Sequence, residues 1–436
     1  MGPRSFRKLA ALWAVFWLFA AGGVAVARDF APGSVCHIYL QPGQSQASVE
    51  DRPELWNCKD TGWRVESDEA LIRFDLRGAQ AGSQSRYFVA RAAPFDRLTL
   101  TAIAPGGETR SEHWTNATMR VADGVTMMAA PVPETAGPPV AVIARIVRPG
   151  YASTITSAQL STREPSGWVE PLDIFLILVC GLLIAPILFD LAYFRALRER
   201  FLLWHAAMGT MMLAYAATSG GLLNRLIPLT VAQFQPIMAM TFSLAIASAA
   251  MFYRCFVEPD ILDVRDRRLL TVSALFCVFL GAFLVVRPLP EPLMQTVYFA
   301  GWVPMVGVVV WLLFLPLWRG SRAARFQVVA WSPLVITGFY RVGGNLGFTD
   351  KAVDAFPLFY VSIAFEVIVT ALGVADRFMT LKREHDRARV EVRLLGEMAE
   401  RDPLTGLLNR RAVETRFQSF IASGYTTVGL VDLDHF

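Results

Sequence analysis

The sequence predicts a membrane protein: a seven-helix α transmembrane bundle with an N-terminal all-β periplasmic sandwich before it. A C-terminal coiled-coil helix and the start of a small α/β unit come after the bundle. Three observations carry this reading. Hydrophobic residues make up 54% of the chain and charged residues 18%, too apolar for a soluble chain of 436 residues. The apolar excess is concentrated between residues 171 and 377, in seven stretches near the roughly 20 residues a helix needs to cross hydrocarbon. Before them lies a polar, turn-rich segment with alternating apolar runs, the pattern of short antiparallel strands.

Residues 1–27 read as a secretory signal peptide. Arg4, Arg7 and Lys8 form its basic end, Leu9 to Ala20 its apolar core, and Ala25-Val26-Ala27 its small-residue cleavage site. An uncleaved anchor is the alternative, and either one exports the next segment. Residues 28–167 alternate at Leu71–Leu76, Leu98–Ile103 and Val140–Val147, with Gly/Pro/Ser clusters between, which predicts an antiparallel sandwich, and its exported position would suit an unknown periplasmic ligand. Cys36 and Cys58 both lie in this exported segment, so a disulfide between them is expected. Trp56, Trp63 and Trp114 could stack on a sugar ring, but core packing is the simpler fate of each. Asn116-Ala117-Thr118 matches a glycosylation sequon and carries no weight alone.

The spans fall at about 171–194, 201–224, 232–256, 268–289, 292–317, 324–346 and 354–377. Charges in the turns test this count independently. Arg195, Arg198 and Arg200, then Arg254, Arg265, Arg267 and Arg268, then Arg319, Arg322 and Arg325 fall on alternate turns. The other three turns hold only Arg225, Arg287, and Arg341 with Lys351. The richer side is expected in the cytoplasm. An exported N-terminus and an odd number of spans then place the C-terminus inside. The net charge of +4 is thus loop topology; no basic stripe with aromatic interleaving suggests nucleic acid.

Within the spans, Glu366 near the middle of the seventh is the clearest intramembrane acid, and such groups default to functional candidates. Arg341 on the preceding span is the partner the sequence offers, for an intramembrane coupling role. A carboxyl group satisfied by helix neighbours is the plain alternative. Asp190 and His205 sit near span ends, where reaching toward the interface accounts for them. Cys180, Cys255 and Cys277 read as buried thiols. Beyond the seventh span, Val374, Phe378, Leu381, His385, Ala388, Val392, Leu395 and Ala399 recur at alternating spacings of four and three. That seam predicts a coiled-coil signalling helix over 378–400 and a homodimer. His385 then sets register instead of accepting phosphate, since no ATP-binding region comes after it.

Residues 401–436 bear the most specific block. Asp402-Pro403 and Thr405-Gly406 mark a turn, and Asn409 can cap a helix running from Arg410 to Ser423 with Gly424 at its C-cap. Val428–Leu433 reads as a buried strand. Asp432 and Asp434 alternate onto one face at its end, a donor pair that suits Mg²⁺.

The block Asp402-x-Leu404-Thr405-Gly406-Leu407-x-Asn409-Arg410-Arg411, a helix, then Asp432-x-Asp434-x-Phe436 resembles the start of the GGDEF domain of diguanylate cyclases. That resemblance implies condensation of two GTP molecules to cyclic di-GMP across a dimer, with Mg²⁺ (or Mn²⁺). It implies that Asp432 is a metal ligand with the Leu433 carbonyl, and that His435 and Phe436 offer backbone N–H groups to the triphosphate. The catalytic hairpin itself would lie beyond Phe436, so the 436 residues are expected to be inactive alone. Exported sandwich, seven spans and GGDEF start in that order resemble the bacterial seven-transmembrane receptors with diverse intracellular signalling modules, which implies the inner membrane and lipid contact. The second reading is a non-enzymatic receptor with a degenerate or missing output domain.

Overall fold

The computed structural model describes residues 34–41, 43–50, 52–58, 68–77, 86–122, 126–162, 171–287, 289, 293–345, 356–402, 405–427 and 429. The expected signal peptide, Trp63, Lys351 and the Asp432–Phe436 segment lie outside them.

Among the described residues, eight strands form the N-terminal domain. They are β1 (Val35–Leu40), β2 (Glu69–Asp75), β3 (Tyr87–Arg91), β4 (Arg97–Ile103), β5 (Thr109–Trp114), β6 (Met127–Pro131), β7 (Ala141–Val147) and β8 (Gln159–Ser161). One sheet runs β1-β2-β7-β4-β5 and the other β6-β3-β8, every pair antiparallel. Strand alternation explains the core. Ile72, Phe74, Leu98, Leu100, Ala144 and Ile146 from the large sheet meet Phe88, Met128, Ala130 and Leu160 from the small one, all buried. The predicted runs at 71–76, 98–103 and 140–147 are therefore β2, β4 and β7.

Two central strands are also covered on their other face. Helix α1 (Gln46–Glu50) and the turn Pro53–Leu55 lay Val49 and Trp56 over Leu71 and Ile143. Trp56 Nε1 donates to the Val49 carbonyl at 3.0 Å, and Trp114 packs at the edge of the main core. Both tryptophans pack against protein, the simpler of their two expected fates. A Cys36–Cys58 disulfide pins this cover to β1, and the His37 and Asn57 amides exchange backbone hydrogen bonds beside it. Asn116 Oδ1 accepts from the Phe95 amide at 3.1 Å.

After α2 (Ala152–Thr156) come α3 (Pro171–Leu197), α4 (Arg200–Ser219), the short α5 (Leu222–Leu226), α6 (Val231–Phe256), α7 (Val264–Val286), α8 (Leu293–Trp318), α9 (Arg322–Asn345) and α10 (Phe356–Ala399). Six of these, α3, α4, α6, α7, α8 and α10, are long and apolar enough to cross a membrane. At 24 residues α9 has the length, but Gln327, Ser332, Thr337 and Arg341 dilute its apolar character. Leu178, Leu188, Val272, Leu275 and Phe279 point outward, at 59–66% exposure, where a multi-pass membrane protein meets lipid. Between helices the small residues close the gaps. A Cβ on Gly281 of α7 would come within 2.8 Å of Ser243 on α6. Pro333 removes the amide that would reach Val329, and Ser332 Oγ donates to that carbonyl at 3.0 Å instead.

The expected second span, 201–224, is two pieces. Helix α4 stops at Ser219, and Gly221 at φ +77° turns the chain into α5. Past α5 the chain enters the sandwich. The Val121 amide donates to Leu229 O and the Val231 amide to Met119 O, each at 3.0 Å, while Leu229, Val231 and Phe234 are buried in the sandwich core. The α5–α6 loop and the β domain thus share one end of the bundle.

The opposite turns are held by acids. Ser321 Oγ donates to Glu258 Oε2 at 2.5 Å, and the amides of Arg322 and Ala323 reach Glu258 Oε1 at 3.1 and 3.2 Å, capping α9. Arg319 bonds the Ile261 carbonyl at 2.6 Å and the carboxylates of Asp263 and Asp266 at 3.3 and 3.4 Å.

Residues 375–436 form a compact unit of their own. The continuous α10 ends at Ala399. Asp402 Oδ1 then accepts from the Thr405 amide and hydroxyl at 2.8 and 2.9 Å, closing the turn. Asn409 Oδ1 accepts from the Ala412 amide at 3.0 Å at the start of α11 (Arg410–Ala422), and Asn409 Nδ2 donates to Ala399 O at 2.6 Å. Gly424 comes next at φ +93°.

Candidate functional site

The bundle interior holds the chemistry. A chamber of about 240 Å³ opens between α4, α6, α7, α8, α9 and α10. Its wall is mostly rings and methyl groups because the inward faces of these helices carry Tyr215, Phe242, Tyr298, Trp302 and Phe359. Tyr215 lies 5.3 Å from Phe242 and 5.8 Å from Phe359, and Phe242 meets Trp302 edge-on at 5.4 Å. Tyr151, between β7 and β8 of the sandwich, also lines the chamber and touches Phe299.

Arg341 enters this wall from α9. Its guanidinium lies 5.4 Å over the Phe359 ring, and Nη1 donates to the Tyr215 hydroxyl at 3.2 Å. Glu366 lies seven residues beyond Phe359, two helical turns, and is buried. Its Oε1 accepts from Thr370 Oγ1 at 2.8 Å and Trp331 Nε1 at 3.3 Å, while Oε2 has no hydrogen-bond partner. Glu366 and Arg341 are not an ion pair. They share the chamber at different depths, and the alternative in which helix neighbours satisfy the carboxyl describes Oε1 only.

Asp190 and His205 correct the sequence reading. They do not reach for the interface: His205 Nδ1 lies 2.5 Å from Asp190 Oδ2, and both side chains are buried. His205 also packs on Phe252 at 4.9 Å. A void of about 10 Å³, enough for one water, is lined by both His205 and Glu366. Beyond Glu366, Thr370 accepts from Gln327 Nε2 at 3.3 Å. Polar groups from α3, α4, α10 and α9 therefore form one buried line. The signal was in the sequence. Asp190 and His205 stand about equally far from the tight α3–α4 turn, so an antiparallel hairpin brings them to one level.

At the sandwich end a second line leads to α10. Thr126 Oγ1 donates to the Ser219 carbonyl at 2.5 Å, and the Tyr360 hydroxyl donates to Ser219 Oγ at 2.9 Å. Gln235 Nε2 reaches Ala92 O at 3.2 Å. The sandwich is thereby bonded to the bundle, and through Ser219 to the first turn of its last helix.

Seven long helices around an aromatic-lined interior, with a β domain bonded to one end of the bundle, are a receptor's layout. Residues 172–377 match the 7TM diverse intracellular signalling family. That matched segment covers α3 to the middle of α10. Among curated proteins, none matches the chain. This multi-pass protein thus contains a region similar to the 7TM signalling domains, with its chamber inside the matched segment.

Among the described residues no cluster of three His, Cys, Asp or Glu could hold a metal. The expected ligands Asp432 and Leu433, and the nucleotide contacts His435 and Phe436, lie outside those residues.

Proposed function

We propose that this chain is the sensing and transmitting part of a membrane-bound diguanylate cyclase. The sandwich takes an external signal, the 7TM domain passes it on, and α10 delivers it to the output domain. The observation that carries the reading is the Asp402–Arg411 block set directly after α10, whose 44 residues run unbroken from the bundle to Ala399. On α10 the apolar positions Val392 and Leu395 are 70% and 58% exposed in the single chain, which supports a parallel homodimeric coil. Such a coil would present two output domains to each other, as joining two GTP molecules requires. In that output, Asp432 with the Leu433 carbonyl would hold Mg²⁺ (or Mn²⁺), and the His435 and Phe436 amides would meet the triphosphate. Metal there would neutralise phosphate charge. The sandwich would face the periplasm and α11 the cytoplasm, with the inner membrane between.

The test uses membranes bearing the protein continued past Phe436 into the hairpin. They are expected to make cyclic di-GMP from GTP and Mg²⁺, and Asp432→Asn is expected to lower output at least a hundredfold. Unchanged output in Asp432→Asn removes that residue from the site. No product from the unaltered protein favours the second reading, a non-enzymatic receptor, which the matched segment supports equally because it names no output chemistry.

A further inference from the structure

The chamber inside the bundle is too large and too specifically furnished to be packing slack. Its volume of about 240 Å³ exceeds the roughly 150 Å³ that admits benzene in an apolar protein cavity. Among the described residues lining it, Arg341 is the basic group and Glu366 the acidic one, and the Phe359 ring under Arg341 stands two helical turns, roughly 10 Å, along α10 from Glu366. The wall between them is aromatic. We propose that the chamber binds a small aromatic carboxylic acid, its carboxylate against Arg341 and its ring body among Phe242, Tyr298, Trp302 and Phe359.

Each part of that class is dictated by the wall. A guanidinium gives a carboxylate charge-assisted, two-pronged hydrogen bonds, strongest where water is excluded. Tyr215 and Phe359 already fix the Arg341 plane, so little ordering is left for the ligand to impose. Edge-on and tilted rings at 5.3–6.0 Å favour a flat ring body over a flexible chain. Arg341 is the one basic side chain among the described residues of the wall, and it sets which way the ligand points. Such a ligand would touch α9 through Arg341 and α10 through Phe359 and Ile363, and α10 is the helix that continues to Ala399. The inference does not depend on the cyclase reading, because it is read by binding alone.

Gly338 supplies the control. It lines the chamber, and a Cβ there meets no atom within 4 Å, so Gly338→Leu starts its side chain into open space and improves helix propensity. The experiment is equilibrium dialysis of the full chain in lipid nanodiscs against labelled 2-naphthylacetic acid, with empty nanodiscs as blank. The neutral 2-naphthylacetamide tests charge, and octanoic acid as competitor tests the ring. Saturable uptake of one acid per chain is expected, with the amide at least tenfold weaker. Arg341→Gln should weaken the acid at least tenfold and leave the amide unchanged, and Gly338→Leu should abolish both. No uptake above empty nanodiscs, equal binding of acid and amide, or octanoate competing as well as the naphthyl acid overturns the proposal. Should Arg341→Gln fail to fold, Gly338→Leu decides: native-like binding there overturns it too.

Discussion

Burial alone pushes the Glu258 carboxyl up, yet the Ser321 hydroxyl and the amides of Ala323 and Arg322 all donate to it, and the balance holds it below the ordinary glutamate range. A carboxyl group depressed by folding stabilises at neutral pH, and that contribution is lost as pH falls through the folded value. Thermal unfolding of the chain in detergent should therefore shift downward below about pH 5. Glu258→Gln should cost about 2 kcal/mol at neutral pH, as charge-assisted bonds do, and should flatten the acid limb. A melting temperature unchanged at neutral pH would mean the cap is redundant. Of the residue-scale features, Asn409 as a cap and Cys36 with Cys58 as a bond were legible because each is a local or compartmental rule. The Asp190–His205 contact was missed because each side chain was weighed against solvent alone. Across a short hairpin the relevant neighbour is the residue equally far from the turn.

At the scale of elements, the seven long helices and strands β2, β4 and β7 could be read directly, since length and alternation are properties of consecutive residues. The split between α4 and α5 was not, because Leu222 and Leu223 continue the apolar run and only Gly220-Gly221 punctuates it. Helix α9 was read as a span from its length. Its polar side chains turn out to face Glu366, Tyr215 and Thr370 inside, which a window average cannot see. For α10 the seam of Phe378, Leu381, Ala388, Val392 and Leu395 makes a phase-sensitive test. Four residues inserted between Arg389 and Val392 rotate the seam off the heptad, whereas seven only lengthen the rod. In the protein continued into the hairpin, cyclic di-GMP output should change at least fivefold with four and less than twofold with seven. Equal, small responses to both would make the segment a tether.

At the scale of the molecule, the sandwich and the α5–α6 loop occupy one end of the bundle while Glu258, Arg319 and Ser321 occupy the other. Ten basic residues on the Glu258-side turns, against Arg225 and Arg287 among the described residues of the sandwich-side turns, give the expected orientation. Reporter fusions should score as periplasmic near Arg225 and Arg287 and cytoplasmic near Arg198 and Arg322. A periplasmic score at Arg322 would break the seven-span topology. The chamber was invisible in the sequence, because a space between helices depends on distances among six of them that no spacing rule encodes. Its ingredients, Arg341 and Glu366, were singled out only because charge is rare in hydrocarbon.

The stitching of Leu229 and Val231 to Val121 and Met119 bears on how the protein can be taken apart. Residues 28–167, excised as a soluble piece, would lose the strand-like lining that Leu229, Val231 and Phe234 give their core, and the amide of Val121 and carbonyl of Met119 would lie open. Such a fragment should aggregate or melt early, and a synthetic peptide of residues 226–236 supplied in trans should rescue it by strand addition. Calorimetry with that peptide and with a Val231→Asp version would tell: rescue by both, or by neither, would mean the sandwich closes on its own. In the intact molecule the same seam is expected to hold back the final form of the β domain until the third long helix is in place.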